Sequence, residues 1–335
     1  MILVQANKTN GWAHDEIIHS LAKALNKHYV FPDIAKEMGK YLELKLTRND
    51  YEAIKSPEAF CEQITIDLRE ISNDKHLKLR YTEQDRSMDQ KMSERVQQDE
   101  YLLKAKIDNY GFHKVERRPG NIGYIDLRGF HDPEFAGETA ANAMNLVANT
   151  DALIFDVRNN GGGSPFMVAF ITSYLFNSEP FHLNSFYSRA KDDLSQSWTL
   201  PYVPGKRYGN KPVYVLTSHR TFSAAEEFTY NLKNLKRATV VGEVTAGGAN
   251  PGFIHQLTMH FSIFIPNGRA INPITQTNWE GTGVIPDVKT TQNEAYETAY
   301  ELALNYVINY YQDSKEYGFL AKEAENQLRQ LKGNK

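Results

Sequence analysis

From Phe112 onward the chain alternates apolar runs with helical stretches, and that alternation limits its fold more than any other feature. "NIGYIDLRGF", "DALIFDVRNN", "KPVYVLTS" and "RATVVGEVT" are short runs rich in Ile, Leu, Val and Phe. Continuous apolar runs of that length, bounded by turn residues, read as buried strands. Between them lie "PEFAGETAANAMNLVAN", "PFMVAFITSYLF" and "AAEEFTYNLKNL", which carry helical spacing. Strands alternating with helices predict an α/β core with parallel strand pairs. "GFIHQLTMHFSIFIPNG" predicts a hairpin. The segment from Asn293 to about Tyr311, with Ala295, Ala299, Leu302 and Leu304, predicts a helix.

The first 80 or so residues have a different texture. Ile17, Ile18, Leu21, Ala24 and Leu25 fall at helical spacing, as do Ile34, Met38 and Leu42 after Pro32. Proline suits a first helical turn. Phe60, Ile64, Leu68 and Ile71 mark a third helix. Three short amphipathic helices cannot each bury a face alone, so a small bundle is expected. "TEQDRSMDQKMSERVQQDEYLLKAKIDN" is charged and poor in core residues, and reads as a linker with some helical character. The expected organisation is therefore a helical bundle over 1–85, a linker over 86–110 and an α/β catalytic domain over 111–335.

Composition narrows the function classes. A chain 41% apolar and 24% charged is of the soluble globular kind. A net charge of -3 offers no footprint for nucleic acid or an anionic membrane surface. No apolar run approaches the ~18 residues of a membrane helix, so stable membrane insertion is not expected. The opening "MILVQANKTNGW" lacks the basic-then-apolar order of a signal peptide. The single Cys61, on the helix of Phe60 and Ile64, reads as a quiet half-buried thiol rather than a nucleophile.

The residues that can carry chemistry begin with "TFSAAEEF". Ser223 with Glu226 three residues later is a capping-box pair, and Glu226 and Glu227 suit the dipole of a first helical turn. The same position can hold a nucleophile. Such a serine needs a base, a group that orients the base, and N–H donors for the oxyanion. A strand, a tight turn and a helix start place it among outward-pointing N–H groups, here the Ala224 amide. A second donor can come from "FDVRNNGGGSPF", where three glycines follow a strand and let the backbone approach a ligand closely. The alternative is a plain turn or an anion nest. No Lys follows the last glycine, so the run does not make a nucleotide-phosphate loop.

Ten histidines are candidate bases. His14, His19 and His28 fall on expected helix surfaces. His219 is close to Ser223 in sequence, but along a turn that does not align it as a base. His255 and His260 lie in the hairpin at an odd spacing that does not put both on one strand face, so no metal site is read there. His76 in "SNDKHLKLRY" sits between the third helix and an apolar–polar alternation, two residues after Asp74. Glu280 in "TNWEGTGVIPD" is a loop acid. Each of these taken alone is also compatible with an ordinary surface role.

The ordered set is more specific than its members. "YVFPDIAKEM", "DLREISNDKHLKLRY", "IGYIDLRGF", "LIFDVRNNGGGSP", "TFSAAEEF", "VGEVTAGGA" and "WEGTGVIPDV" occur in one sequence order. That string resembles the tail-specific, or C-terminal-processing, serine protease family, in the branch of the interphotoreceptor retinoid-binding protein modules and the tricorn protease core. It covers about Tyr29 to Val288. One arrangement in the family uses a Lys base downstream of the serine. Here Gly248 stands at that position and no Lys occurs between Lys236 and Lys289.

The resemblance therefore implies the tricorn-type arrangement. Ser223 matches the nucleophile, His76 the base and Glu280 the orienting acid. The helper Ser beside the base is not matched, because Lys75 precedes His76; Asp74, or Ser72 by a longer reach, is the substitute. By the same analogy the oxyanion donors are Ala224 and either Gly161 or Gly162. The implied fold is an N-terminal helical bundle followed by a crotonase-like α/β core without a PDZ domain. The active site is expected in a cleft between the two.

The leading reading is a serine-type peptidase acting on a peptide or protein without cofactor or metal. Its rival is a non-catalytic carrier of retinoid-like or fatty-acid-like apolar ligands, and a third is an esterase with the same site. A carrier has no need of Ser223, His76 and Glu280 together. The family tolerates an exported setting, in a periplasm or cell envelope after loss of a signal peptide. The substrate, oligomeric state and physiological role are not legible in the sequence.

Overall fold

Apolar runs become strands and apolar stripes become helices along the chain of the computed structural model, which describes residues 12–83 and 90–333. Three helices come first: α1 (His14–His28), α2 (Pro32–Thr47) and α3 (Pro57–Ser72), followed by β1 (Lys78–Tyr81). The segment read as a linker carries α4 (Gln90–Ile107); its residues 84–89 lie outside the described residues. Next come β2 (Phe112–Arg118), β3 (Ile122–Leu127), α5 (Pro133–Val147), β4 (Ala152–Asp156) and α6 (Pro165–Tyr174). β5 (His182–Ser188), β6 (Asp193–Trp198), β7 (Val213–Thr217), α7 (Ala224–Asn234) and β8 (Thr239–Gly242) follow. The chain ends with β9 (Gly252–Gln256), β10 (Phe261–Pro266), β11 (Gly268–Ile271), β12 (Val288–Lys289), α8 (Ala295–Tyr311) and α9 (Gly318–Gly333).

Two compact units result. The first runs to Gln98 and takes in Phe186–Ser195 and Asn250–Ala270; the second holds Asp99–Ser185, Gln196–Ala249 and Ile271 onward. In the first, the expected stripes are buried: Ile17, Ile18, Leu21 and Leu25 on α1, Met38 and Leu42 on α2, and Phe60, Ile64 and Leu68 on α3. Pro32 and Pro57 stand at the helix starts, where a missing N–H costs nothing. Ser56 caps α3 by accepting the Ala59 N–H at 3.3 Å. The helices do not pack only on one another. Phe261, Ile263 and Ile265 of β10 join their core, from a sheet of order β1-β10-β9. The hairpin expected from "GFIHQLTMHFSIFIPNG" is the antiparallel β9–β10 pair, with Phe264 opposite Ile254. Cys61 is buried in this core, and burial pushes its thiol up to about 12, which suits the quiet role.

In the second unit, a six-stranded sheet has the order β12-β8-β7-β4-β3-β2. β3, β4, β7, β8 and β12 pair in parallel, and β2 closes the edge antiparallel to β3. Alternation along the strands feeds two cores. Ile125, Leu153, Phe155, Val213 and Val215 join α5, α6 and α7 on one face. Ile122, Ala152, Ile154, Tyr214 and Leu216 join α8 and α9 on the other. A parallel sheet covered on both faces needs strands apolar at every position, which is why the runs looked continuous. The mixed α/β architecture is as expected, with no PDZ domain among the described residues, and the tail holds α9 in addition to the expected α8. A third sheet has the order β11-β5-β6. Among the described residues no helix is long and apolar enough to cross a membrane.

Candidate active site

Ser223 occupies the turn between β7 and α7, at the N-cap of the helix. Its backbone has φ 55° and ψ -121°, a conformation that costs a residue with a Cβ on the order of 1–3 kcal/mol. Only surrounding structure can hold it there. Phe222 donates its N–H to Asn160 O at 3.1 Å, Thr221 Oγ1 donates to Val157 O at 2.9 Å, and Ser218 Oγ donates to Arg158 O at 2.7 Å. The turn after β7 is thus knitted to the glycine loop after β4. The sequence pair Ser223/Glu226 closes as the expected capping box, with Glu226 Oε2 accepting the Ser223 N–H at 2.9 Å and the Ser223 side chain facing the N3 backbone N–H.

Glu226 does more than a cap. It is fully buried, and its carboxylate also accepts from Thr245 Oγ1 at 2.5 Å, Gly247 N at 2.6 Å and Gly248 N at 2.8 Å. Burial raises its pKa, and those hydrogen bonds oppose the rise. The loop it holds carries Glu280 in turn. Trp279 Nε1 donates to Gly248 O at 2.7 Å, Gly281 N to Gly247 O at 3.1 Å, and Ala249 N to Glu280 Oε2 at 2.5 Å. Ser223 and Glu280 are thereby tied to one framework, through a carboxylate that reads in the sequence only as a cap.

The glycine loop meets the serine closely. A Cβ on Gly162 would stand 2.7 Å from Ser223 Cβ and 3.0 Å from Ala224 N, and Gly162 has φ +102°. Side chains are excluded here on two counts. The Gly162 N–H is already given to Asn160 Oδ1 at 2.8 Å, which leaves Gly161 as the loop's candidate oxyanion donor. Ala224 is the first helical residue of α7, where a backbone N–H has no partner inside the helix.

His76 lies in the first unit, on the turn from α3 to β1. Asn73 ends α3 with φ 55°, the left-handed cap expected of Asn. Asp74 Oδ1 accepts the His76 backbone N–H at 3.0 Å and lies 3.7 Å from His76 Nδ1, too far for a hydrogen bond to the ring. Asp74 is buried, and its Oδ2 accepts from Tyr29 Oη at 3.1 Å and Asn250 Nδ2 at 3.2 Å. It therefore shapes the turn that presents the imidazole. Ser72 Oγ donates to Leu68 O at 2.8 Å and so belongs to the end of α3. The His76 ring stacks on Phe264, with centroids 5.6 Å apart and planes at 29°.

His14, His28, His219 and His255 are engaged elsewhere. His219 Nδ1 lies 3.1 Å from Glu243 Oε2. His14, expected on a solvated surface, packs between Trp12 and Phe60, and His28 stacks on His255. The helix stripes did not show those ring contacts, because their partners lie far along the chain.

A family model described as peptidase family S41 matches residues 121–290, half of the sequence. The chain belongs to peptidase family S41. A second model, the N-terminal domain of peptidase S41 in eukaryotic IRBP (interphotoreceptor retinoid-binding protein), matches residues 12–113 of this S41 chain. The resemblance read from the ordered motifs is borne out. Among solved structures, a candidate peptidase of Parabacteroides merdae is 19% identical, with a TM-score of 0.59 over 87% of this chain and 96% of that one. The tricorn protease is 14% identical, with a TM-score of 0.54 over 88% of this chain and 37% of that one. The photosystem II D1 C-terminal processing protease is 23% identical, with a TM-score of 0.42 over 51% of this chain. The S41 chain spans 43% of the length of that last protein.

Proposed function

We propose that this S41 chain is a serine-type peptidase that cleaves peptide or protein substrates with Ser223 as nucleophile. The observation that carries the reading is the backbone of Ser223: a serine held at φ 55° and ψ -121° on a strand-to-helix turn. Strain of that kind persists only where neighbours enforce it, and it is the mark of a nucleophile turn. In the proposed reaction His76 takes the Ser223 proton as the hydroxyl attacks the scissile carbonyl, then returns it to the leaving amine. Glu280 orients and charge-balances the imidazole. The Ala224 and Gly161 amides hold the oxyanion. Asp74 fixes the backbone turn on which His76 sits, in place of the family's helper serine. The expected consequence is that Ser223→Ala or His76→Ala lowers turnover by several orders of magnitude, because such groups act as a unit.

The test is covalent labelling by a fluorophosphonate probe, read by intact mass, on wild type, Ser223→Ala and His76→Ala. Labelling confined to the wild type supports the reading. Labelling that persists in Ser223→Ala sinks the assignment of the nucleophile. The match of residues 12–113 to a domain of a retinoid-binding protein favours a second reading, a carrier of apolar ligands. Folded wild type that stays unlabelled at every pH but binds retinol or a fatty acid would establish the carrier instead.

A further inference from the structure

The sheet of the first unit has two unlike faces. Leu79 of β1 and Phe261, Ile263 and Ile265 of β10 point into the core of α1 to α3. Successive side chains alternate between faces, and directly opposed residues on paired strands share one. Lys78, Phe264 and Ile254 are opposed across β1, β10 and β9, so all three stand on the other face. His76 is on that face too, because its ring stacks on Phe264. The row ends at Ile254, an apolar side chain 57% exposed on the outermost strand.

β9 is also an open edge. Its ladder to β10 is set by the bonds that flank it: Leu257 N donates to Phe261 O at 2.9 Å, and Asn267 N donates to Pro251 O at 3.0 Å. Hydrogen-bonded pairs alternate with non-bonded pairs in an antiparallel ladder. Stepping inward from both ends makes Phe253 and His255 the residues that bond β10. The N–H and C=O of Ile254 therefore point outward. Among the described residues β9 has no strand on that side, and neither group of Ile254 meets a partner.

Exposed edges are usually blunted by charged residues or proline. β9, "GFIHQ", carries neither, and it exposes Phe253 as well as Ile254. The edge starts beside the base. Asn250, two residues before β9, donates Nδ2 to Asp74 Oδ2 at 3.2 Å, and Asp74 shapes the His76 turn. A strand added beyond β9 would lie about 4.8 Å from it and roughly 10 Å from β10, a reach of about three extended residues.

We propose that β9 is a substrate-binding edge. An extended segment of the peptide substrate adds to it as a fourth strand, pairs with the Ile254 N–H and C=O, and lays an apolar side chain against Ile254. Main-chain pairing holds the peptide whatever its sequence, and the side chain facing Ile254 supplies selectivity about three residues from the scissile bond. The occupant is the substrate rather than a second copy of the chain because the edge shares its open face with the proposed base. The inference rests on the reading of Ser223 as nucleophile and His76 as base.

The experiment measures cleavage of a library of internally quenched peptides by the full chain, for wild type, Ile254→Pro and Ile254→Ser. Proline removes only an outward N–H, which an edge strand tolerates. Ile254→Pro should lower kcat/KM about tenfold, through KM, for all cleaved peptides. Ile254→Ser should cut the preference for an apolar residue at one position about tenfold and leave other positions alone. Labelling by the small fluorophosphonate probe should be unchanged in both variants, which also shows that they are folded. Unchanged cleavage and selectivity in both variants overturns the inference and leaves the nucleophile standing. A wild-type dimer that Ile254→Pro dissociates without altering cleavage assigns the edge to a second copy and also overturns it. If wild type is neither labelled nor active, the nucleophile reading falls. Fluorescence polarisation of the same peptides on Ser223→Ala then still decides the edge: binding weakened by Ile254→Pro supports it, and binding that is absent or indifferent to Ile254→Pro sinks it.

Discussion

Glu226→Gln should loosen the turn that presents Ser223, and the structure sets the size of the effect. The carboxylate accepts from Thr245 Oγ1 and Gly247 N on one oxygen, and from Ser223 N and Gly248 N on the other. An amide keeps one oxygen and turns the other into a donor. In its best orientation it retains Ser223 N and Gly248 N and donates to Thr245 Oγ1, leaving the buried Gly247 N–H without an acceptor. One orphaned donor costs about 1–3 kcal/mol, and in the reverse orientation two cost roughly twice that. Burial, which raises the Glu226 pKa, works the other way, since glutamine carries no charge to desolvate. The net loss should therefore be about 1–3 kcal/mol. Glu226→Ala leaves three backbone donors without acceptors, roughly 3–9 kcal/mol against a typical total of 5–15. Urea unfolding followed by circular dichroism gives the stability, read at constant m-value. Fluorophosphonate labelling gives the functional readout, and Glu226→Gln should label more slowly. A Glu226→Gln midpoint within about 0.5 kcal/mol of wild type, with an unchanged labelling rate, would refute the view that this carboxylate holds the turn.

Further outcomes follow from neighbouring geometry. Gly162→Ala should abolish labelling, because its Cβ meets Ser223 Cβ at 2.7 Å and Phe222 O at 2.9 Å, whereas Gly161→Ala, with nothing within 4 Å, should stay folded; thermal melts of the pair check the contrast. The stability of wild type should fall as pH rises from about 4.5 toward 8 and level off above. The folded state holds the Glu227 proton across that window and the unfolded chain does not. The ceiling is roughly 5 kcal/mol, and Glu227→Gln should show a shallower slope in pH-dependent urea titrations, with Glu226, whose pKa burial also raises, supplying the remainder. Phe264→Ala removes the ring stacked under His76, worth about 0.5–1.5 kcal/mol, so labelling should slow by about two- to tenfold in a chain that remains folded by circular dichroism.

The sequence alone determined the elements whose signals are local. Continuous apolar runs marked β3, β4 and β7 because strands covered on both faces need an apolar residue at every position. Stripes at helical spacing marked α1 to α3, and the ordered motifs marked the family. Ser223 at a helix start was legible for the same reason. Only the tertiary structure decided what Glu226 does, because two of its donors, Gly247 and Gly248, lie on a loop about twenty residues away and carry no side chain to announce them. It also decided that the Gly162 amide is committed to Asn160, that Phe264 stacks on His76, and that β10 completes the core of α1 to α3. Periodicity reports which face of an element is apolar. It does not report which distant backbone group will meet a buried carboxylate, since that depends on how the chain returns.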